Sequence, residues 1–204
     1  MSTIAIDVDG VLLNYNAAYA VAWQRAFGVL PDLQNPDAYW PRERWRVESL
    51  TGARLDHFRS HFDESFWSSL PAYDGAIDAC FRLKIAGFNL VCVSAIDPCF
   101  RQARERNLHE LGFPIERVFC TEGIDGPVSP KAPALIEIAP VAFVDDYLPF
   151  MRGIPSQIHA ALISRDSSGS PNVGDDLGLV NSKHACFAEF ADWWLARPIY
   201  RRDR

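Results

Sequence analysis

The strongest constraint in this sequence is a recurrence: short apolar, β-branched runs that finish on an acid or a hydroxyl. Thr3–Val8 is one, closed by Asp7 and Asp9 around Val8 and followed by Gly10. Phe88–Val93 runs into Ser94, and Val141–Val144 runs into Asp145 and Asp146. Val118–Cys120 and Ile158–Ile163 are two further runs of the same kind. Apolar runs without polar alternation belong to strands covered on both faces, as in a parallel sheet. Helical signals separate them, over Gly75–Ala86, Pro98–Leu111, Pro130–Ile138 and Phe187–Ala196. Asp97 before Pro98 and Ser129 before Pro130 pair a capping side chain with a proline suited to the first turn. Gly87 and Gly112 stand where helices stop. This alternation predicts an α/β fold built on a doubly wound parallel sheet, Rossmann-like in plan.

Residues 14–70 break the rhythm. They hold no strand-like run, carry prolines at 31, 36 and 41, and contain four of the six tryptophans. A parallel crossover needs only about a dozen residues. The excess is predicted to be a small helical cap, spanning 14–70, inserted into a core of 1–13 and 71–204, with hinges near Leu12–Asn14 and Leu70–Asp74. A chain of 204 residues, 49% hydrophobic, is enough for one core with one insertion. Ser164–Asp176, rich in Ser and Gly, reads as a solvent-exposed connection.

Charge narrows the partners. Twenty Lys and Arg against 26 Asp and Glu give −6, which argues against a nucleic-acid polymer held through its phosphates and against a polybasic membrane contact. No apolar stretch reaches the ~18 residues that span a bilayer. The first residues meet Asp7 without a basic segment, unlike a signal peptide. The five cysteines lack CxxC spacing, and Cys92 and Cys120 read as small core hydrophobes. A reducing, cytoplasmic setting is expected, with oligomeric state open between monomer and homodimer.

In an open α/β sheet the carboxyl ends of the strands form the ligand crevice. Asp7 and Asp9 fall there, and an apolar strand does not carry two carboxylates into such a place without a cation or a turn to cap. A hard divalent metal and a phosphate suit them. Asp145 and Asp146 end a second strand and Ser94 a third. Lys131, one of only three lysines, opens a helix, the end at which a cation is disfavoured. Acid pair, hydroxyl, ammonium and acid pair converge on one crevice.

In this order the four groups resemble the four motifs of the haloacid dehalogenase-like (HAD) hydrolases. Asp7-Val8-Asp9-Gly10-Val11-Leu12 is similar to the first motif, Ser94 to the second, Lys131 to the third and Asp145-Asp146 to the fourth. The insertion lies where that superfamily carries its C1 helical cap. The resemblance implies a phosphomonoester hydrolase: Asp7 as nucleophile forming an aspartyl-phosphate, Asp9 as general acid and base, Ser94 and Lys131 on the phosphoryl oxygens. Mg²⁺ would be held by Asp7, the Asp9 carbonyl and Asp146, with Asp145 in support. Dehalogenases of the superfamily lack the second Asp, so Asp9 argues against dehalogenation. Phosphomutases are chemically allowed. A receiver module and a non-catalytic phosphate- and Mg²⁺-binding relative are the readings from other classes; the former lacks a 55-residue insertion, and the latter fits poorly with a full catalytic set.

Selectivity is then expected from the cap. Phe66, Trp67, Trp45 and Arg44 are its candidate substrate contacts, planar groups able to stack on a base or pair with an acid. Ser65–Pro71 followed by Asp74–Ala79 resembles the cap-to-core return of the 5′(3′)-deoxyribonucleotidases, which makes a (deoxy)nucleoside monophosphate the leading substrate. Sugar phosphates and phosphoglycolate-like acids are the alternatives.

Overall fold

A computed structural model describes residues 2–123, 126–165 and 167–197. Six parallel strands form one sheet: β1 (Thr3–Ile6), β2 (Asn89–Ser94), β3 (Arg117–Cys120), β4 (Ala142–Asp145), β5 (His159–Ile163) and β6 (Ser182–His184). Their spatial order is β3-β2-β1-β4-β5-β6, so the winding reverses beside β1. Alternate side chains divide cleanly between the two faces. Ile4, Ile6, Leu90, Cys92 and Val144 join one core cluster, whereas Ala5, Val91, Val93, Phe143 and Leu162 join the other. Burial on both sides is why these strands carry no polar alternation.

One face is covered by α5 (Ala76–Ile85), α6 (Arg101–Glu110) and α8 (Phe187–Ala196), which bring Leu83, Leu108, Phe187, Phe190 and Trp194 into the core. The other is covered by α7 (Ala132–Ile138), through Leu135, and by the turn around Leu148 and Met151. Each fully buried large apolar side chain contributes roughly 1.5–3 kcal/mol, so these faces hold the sheet together. Gly87 and Gly112 follow α5 and α6 at φ +93° and +85°, the left-handed conformation that closes a helix. Asp97 caps a short 3₁₀ turn over Pro98–Phe100, and α6 starts only at Arg101. The expected helix from Pro98 is therefore two elements. Likewise α7 begins at Ala132, with Lys131 as its cap residue and the Ser129 Oγ accepting from the Lys131 amide at 3.1 Å.

β6 has no apolar run to announce it in the sequence. Ser182-Lys183-His184 is polar and three residues long, and it holds the sheet edge through pairing with Ala161–Ile163. The Asn181 carboxamide oxygen accepts from the Ala160 amide at 2.7 Å, and the Ser182 hydroxyl lies 2.8 Å from His159 Nε2 and 2.9 Å from His184 Nε2.

Between β1 and α5 the chain forms α1 (Tyr15–Phe27), α2 (Pro41–Arg44), α3 (Gly52–Arg59) and α4 (Glu64–Trp67), and adds no strand to the sheet. Its two ends run side by side: the Asn14 amide donates to the Pro71 carbonyl at 2.8 Å and the Tyr73 amide to Leu12 at 2.9 Å. Asn14 also caps α1 through the Ala17 amide. The inserted helices pack on rings, among them Tyr19 against Phe58 with centroids 5.1 Å apart and Phe62 against Phe66 at 4.6 Å. The 164–176 segment is not the plain exposed connection expected from its composition. Ser168 exchanges backbone hydrogen bonds of 3.0 Å with Asp37 and Tyr39, and Asn172 donates to the Asp146 carbonyl at 2.7 Å. Asn172 is polar because its carboxamide binds backbone at both ends, accepting from the Leu148 amide as well as donating to Asp146. Asp166 lies outside the described residues.

Candidate active site

Register alone brings the strand ends together. Ile6 pairs with Cys92 on one side and Val144 on the other, so the next residue, Asp7, is level with Val93 and Asp145. Ser94 lies one step further along β2, buried. The Asp7 amide extends the pairing by donating to the Val144 carbonyl at 2.8 Å. These groups stand at the reversal of strand order, where an open α/β sheet leaves a crevice.

Lys131 closes the arrangement from α7. Its Nζ is 2.6 Å from an oxygen of Asp7 and 2.6 Å from an oxygen of Asp145, with no exposure of its own. The Phe150 ring lies beneath the ammonium, 4.6 Å from centroid to Nζ. A cation at a helix N-terminus is unfavourable until two carboxylates face it, which is the local reason for its position. The other Asp145 oxygen accepts from the Tyr147 amide at 2.9 Å, so Asp145 is bound at both oxygens. Burial works against the Lys131 charge, but Asp145 and Asp7 outweigh it and hold its pKa raised. Burial pushes the Asp145 carboxyl up to about 7 against the pull of Lys131, with Asp7 adding to the rise. One ammonium thus faces two carboxylates, and the cluster is short of positive charge.

Asp146 shares that shortage. Burial, then Asp145 and Asp7, push its carboxyl well up, with Lys131 and Arg165 pulling down. Carboxylate oxygens of Asp7, Asp145 and Asp146 all lie within 4.8 Å of one another. Gly10, at φ +84°, passes so close to Asp146 that a Cβ there would fall 2.2 Å from its Oδ2. Arg165 ties this turn down, donating to the Gly10 carbonyl at 2.8 Å and stacking on Tyr73 at 3.5 Å. Three hard anionic oxygens around a point that lacks compensating charge fit a divalent cation such as Mg²⁺. Asp9 offers no carboxylate to that cluster.

Instead Asp9 is turned to Arg104 of α6, whose Nη2 donates to its two oxygens at 2.8 and 3.0 Å. Arg104 is fully buried and faces the Trp67 ring at 5.2 Å. Its Nη1 reaches Asn107, 3.5 Å away, and Asn107 donates in turn to the Leu70 carbonyl at the return of the insertion. Burial raises the Asp9 carboxyl to about 6, Arg104 opposing and Asp7 assisting. Arg104 is not marked by any motif in the sequence. The signal available was its place with Ala103, Asn107 and Leu108 on the one buried stripe of α6.

Above these groups lies a cavity of about 820 Å³, lined by Asp7, Asp9, Ser94, Lys131 and Asp146 below and by inserted helices above. Trp67 lines it, as does Trp40 beside Tyr39 and Tyr147. Asn16 also lines it, 7% exposed, its carboxamide oxygen without a hydrogen-bond partner among the described residues. Three expected contacts are placed elsewhere. Phe66 is packed among Tyr15, Phe62 and Trp67. Trp45 donates from Nε1 to the Asn16 carbonyl at 2.8 Å, and Arg44 donates from Nε to Ala38 at 3.0 Å. All three hold the inserted helices together, because large side chains are what so small a unit has to build a core from.

No protein-family profile and no curated protein matches the sequence. Solved structures do match its fold. A HAD family hydrolase from Deinococcus radiodurans R1, with bound phosphate and sodium, aligns at TM-score 0.61 and 16% identity over 96% of this chain and 95% of its own. The fold is that of the HAD hydrolases. An L-2-haloacid dehalogenase aligns at TM-score 0.62 and 12% identity, covering 96% of this chain and 99% of that one. The D,D-heptose 1,7-bisphosphate phosphatase of B. bronchiseptica, complexed with magnesium and phosphate, aligns at 0.55 and 14% over 96% and 98%. Among the described residues no helix is long and apolar enough to cross a membrane.

Proposed function

We propose that this protein is a Mg²⁺-dependent phosphomonoester hydrolase in which the helices over residues 14–70 act as a cap. The observation that carries the reading is the single ammonium of Lys131 set between Asp7 and Asp145, with Asp146 beside them, at the floor of a large cavity. Phosphate monoesters are dianions with poor leaving groups, so a site for them must neutralise charge and divide the reaction.

Asp7 attacks phosphorus in line; its oxygen forms the new P–O bond as the ester P–O bond breaks. Asp9 gives a proton to the departing alkoxide and later takes one from the water that attacks the aspartyl-phosphate, which frees phosphate and restores Asp7. Lys131 and Ser94 bind the non-bridging oxygens, the ammonium moving from carboxylate-only contacts to share its protons with phosphate. Asp7, Asp146 and the Asp9 backbone carbonyl would hold Mg²⁺, which when bound supplies positive charge to the phosphoryl oxygens. Asp145, bound at both oxygens by Lys131 and the Tyr147 amide, holds the lysine in place instead. Relatives solved with phosphate, one also with magnesium, support this assignment.

The substrate we infer is a (deoxy)nucleoside monophosphate. A cavity of about 820 Å³ walled by Tyr39, Trp40, Trp67 and Tyr147 suits a flat ring system, and a two-carbon acid would leave most of it empty. Phosphate release with Mg²⁺ from deoxy- and ribonucleotides, sugar phosphates and phosphoglycolate tests this. Preference for nucleotides is expected. Broad, weak hydrolysis would keep the phosphatase and remove the nucleotide; no release from any would remove both.

A further inference from the structure

At the floor of the cavity three of the four carboxylates have a cation beside them, Lys131 for Asp7 and Asp145 and Arg104 for Asp9, and Asp146 is left for the metal. The upper wall is different. Glu48, its acidic residue, is ion-paired with Arg54. Arg42, on α2, and Arg59, the last residue of α3, also line the cavity, and neither side chain makes a hydrogen bond or ion pair with another described residue. Both side chains are exposed; burial raises the Tyr19 pKa with the Arg42 charge opposing the rise, and Tyr19 packs edge-on against Phe58, the residue before Arg59.

We propose that Arg42 and Arg59 form a second anion subsite, so that a nucleotide bearing, besides its scissile phosphate, a further phosphate or carboxylate on the nucleoside is bound more tightly than a plain monophosphate. This rests on the phosphohydrolase reading above. One phosphate held at the floor leaves two guanidiniums unmatched at the far wall. They share one cavity, and the planar guanidinium fork matches both carboxylate and phosphate oxygens. Tyr39, Trp40 and Trp67 line the same cavity and can flank a flat spacer joining the two anions.

The test compares phenyl phosphates carrying a 4-carboxyl, 4-phosphonomethyl or uncharged 4-carbamoyl group, and the same groups on a longer biphenyl frame. Phosphate release with Mg²⁺ gives kcat/KM for each; calorimetric binding to Asp7→Asn protein gives affinity without turnover. Failure of hydrolysis thus bears on the phosphatase reading, and the binding ratios bear on the subsite. The charged probes are expected to exceed the carbamoyl probe by roughly tenfold or more, as for one charged hydrogen bond. Arg42→Gln and Arg59→Gln should each bring the ratio towards one. Arg46→Gln, a cap arginine outside the cavity, should leave it. A preference restricted to the phosphonate names phosphate as the second group, and one restricted to the carboxylate names an acid. Equal binding of charged and uncharged probes on both frames, or a preference that survives both cavity variants, overturns the subsite.

Discussion

Gly10→Ala separates the geometry of the acidic cluster from mere backbone strain. Gly10 has φ +84°, and a Cβ would lie 2.2 Å from Asp146 Oδ2, 2.4 Å from its carboxyl carbon and 2.7 Å from Oδ1. Ordinary contact starts near 3.4 Å, so the Asp146 carboxylate must retreat by about 1.2 Å. Gly112 supplies the control, with φ +85° and nothing within 4 Å of its Cβ. Both variants should lose about 1 kcal/mol in urea unfolding from forcing a Cβ into the left-handed region. Only Gly10→Ala should lose function. Misplacement by an ångström costs about 10²-fold in rate. The Mg²⁺ concentration for half-maximal phosphate release should rise at least as far as on losing an outer ligand partner, about 10- to 100-fold. If Gly10→Ala keeps the wild-type Mg²⁺ midpoint while its stability falls like that of Gly112→Ala, Asp146 is not a metal ligand and the reasoning fails.

Arg104→Met leaves the Asp9 carboxylate without its buried partner, and urea unfolding should show a loss of about 3 kcal/mol; Asp9→Asn in the same background should recover part of it, and additive losses would deny the coupling. EDTA should abolish phosphate release and Mg²⁺ restore it, whereas full activity in EDTA removes the metal assignment. His159 is held down at about 4, by burial first and then by Arg197 and His184. Its neutral form therefore favours the fold: the contribution is complete above the unfolded value of ~6.5 and is lost as pH falls from there towards 4. Urea midpoints at neutral and mildly acidic pH should diverge less in His159→Gln than in wild type, and an equal divergence would clear His159 of the effect. Trp67→Ala should raise KM for a nucleotide more than for phenyl phosphate, and equal effects would return Trp67 to packing.

Most of the sheet is legible in the sequence because strands buried on both faces must be apolar, and β1, β2, β4 and β5 each announce themselves so. β6 does not. Ser182-Lys183-His184 is held by edge pairing and by side chains of its neighbours, which no local pattern reports. Of the candidate-site residues, Asp7, Ser94 and Asp145 are visible because a polar residue at the end of an apolar run needs a reason, and Lys131 because one of three lysines opens a helix where a cation is disfavoured. Arg104 is not visible that way, lying in a helix of otherwise charged composition where only the buried stripe marks it. In the inserted helices Trp45, Phe66 and Arg44 carry no signal that separates packing from substrate contact. An aromatic or arginine that builds a small core and one that lines a cavity look alike until the fold decides which way each points. The 164–176 segment misleads for a related reason: Ser, Asn and Gly serve a loop that binds backbone as well as one that binds water.

The central claim is that Asp7 becomes phosphorylated. The direct measurement is mass spectrometry of acid-quenched enzyme during turnover of a nucleotide, wild type beside Asp7→Asn. The account predicts one added phosphoryl group on the peptide containing Asp7 in wild type, and neither the adduct nor phosphate release in the variant. Phosphate release by folded Asp7→Asn protein, or an adduct on another residue, would contradict it.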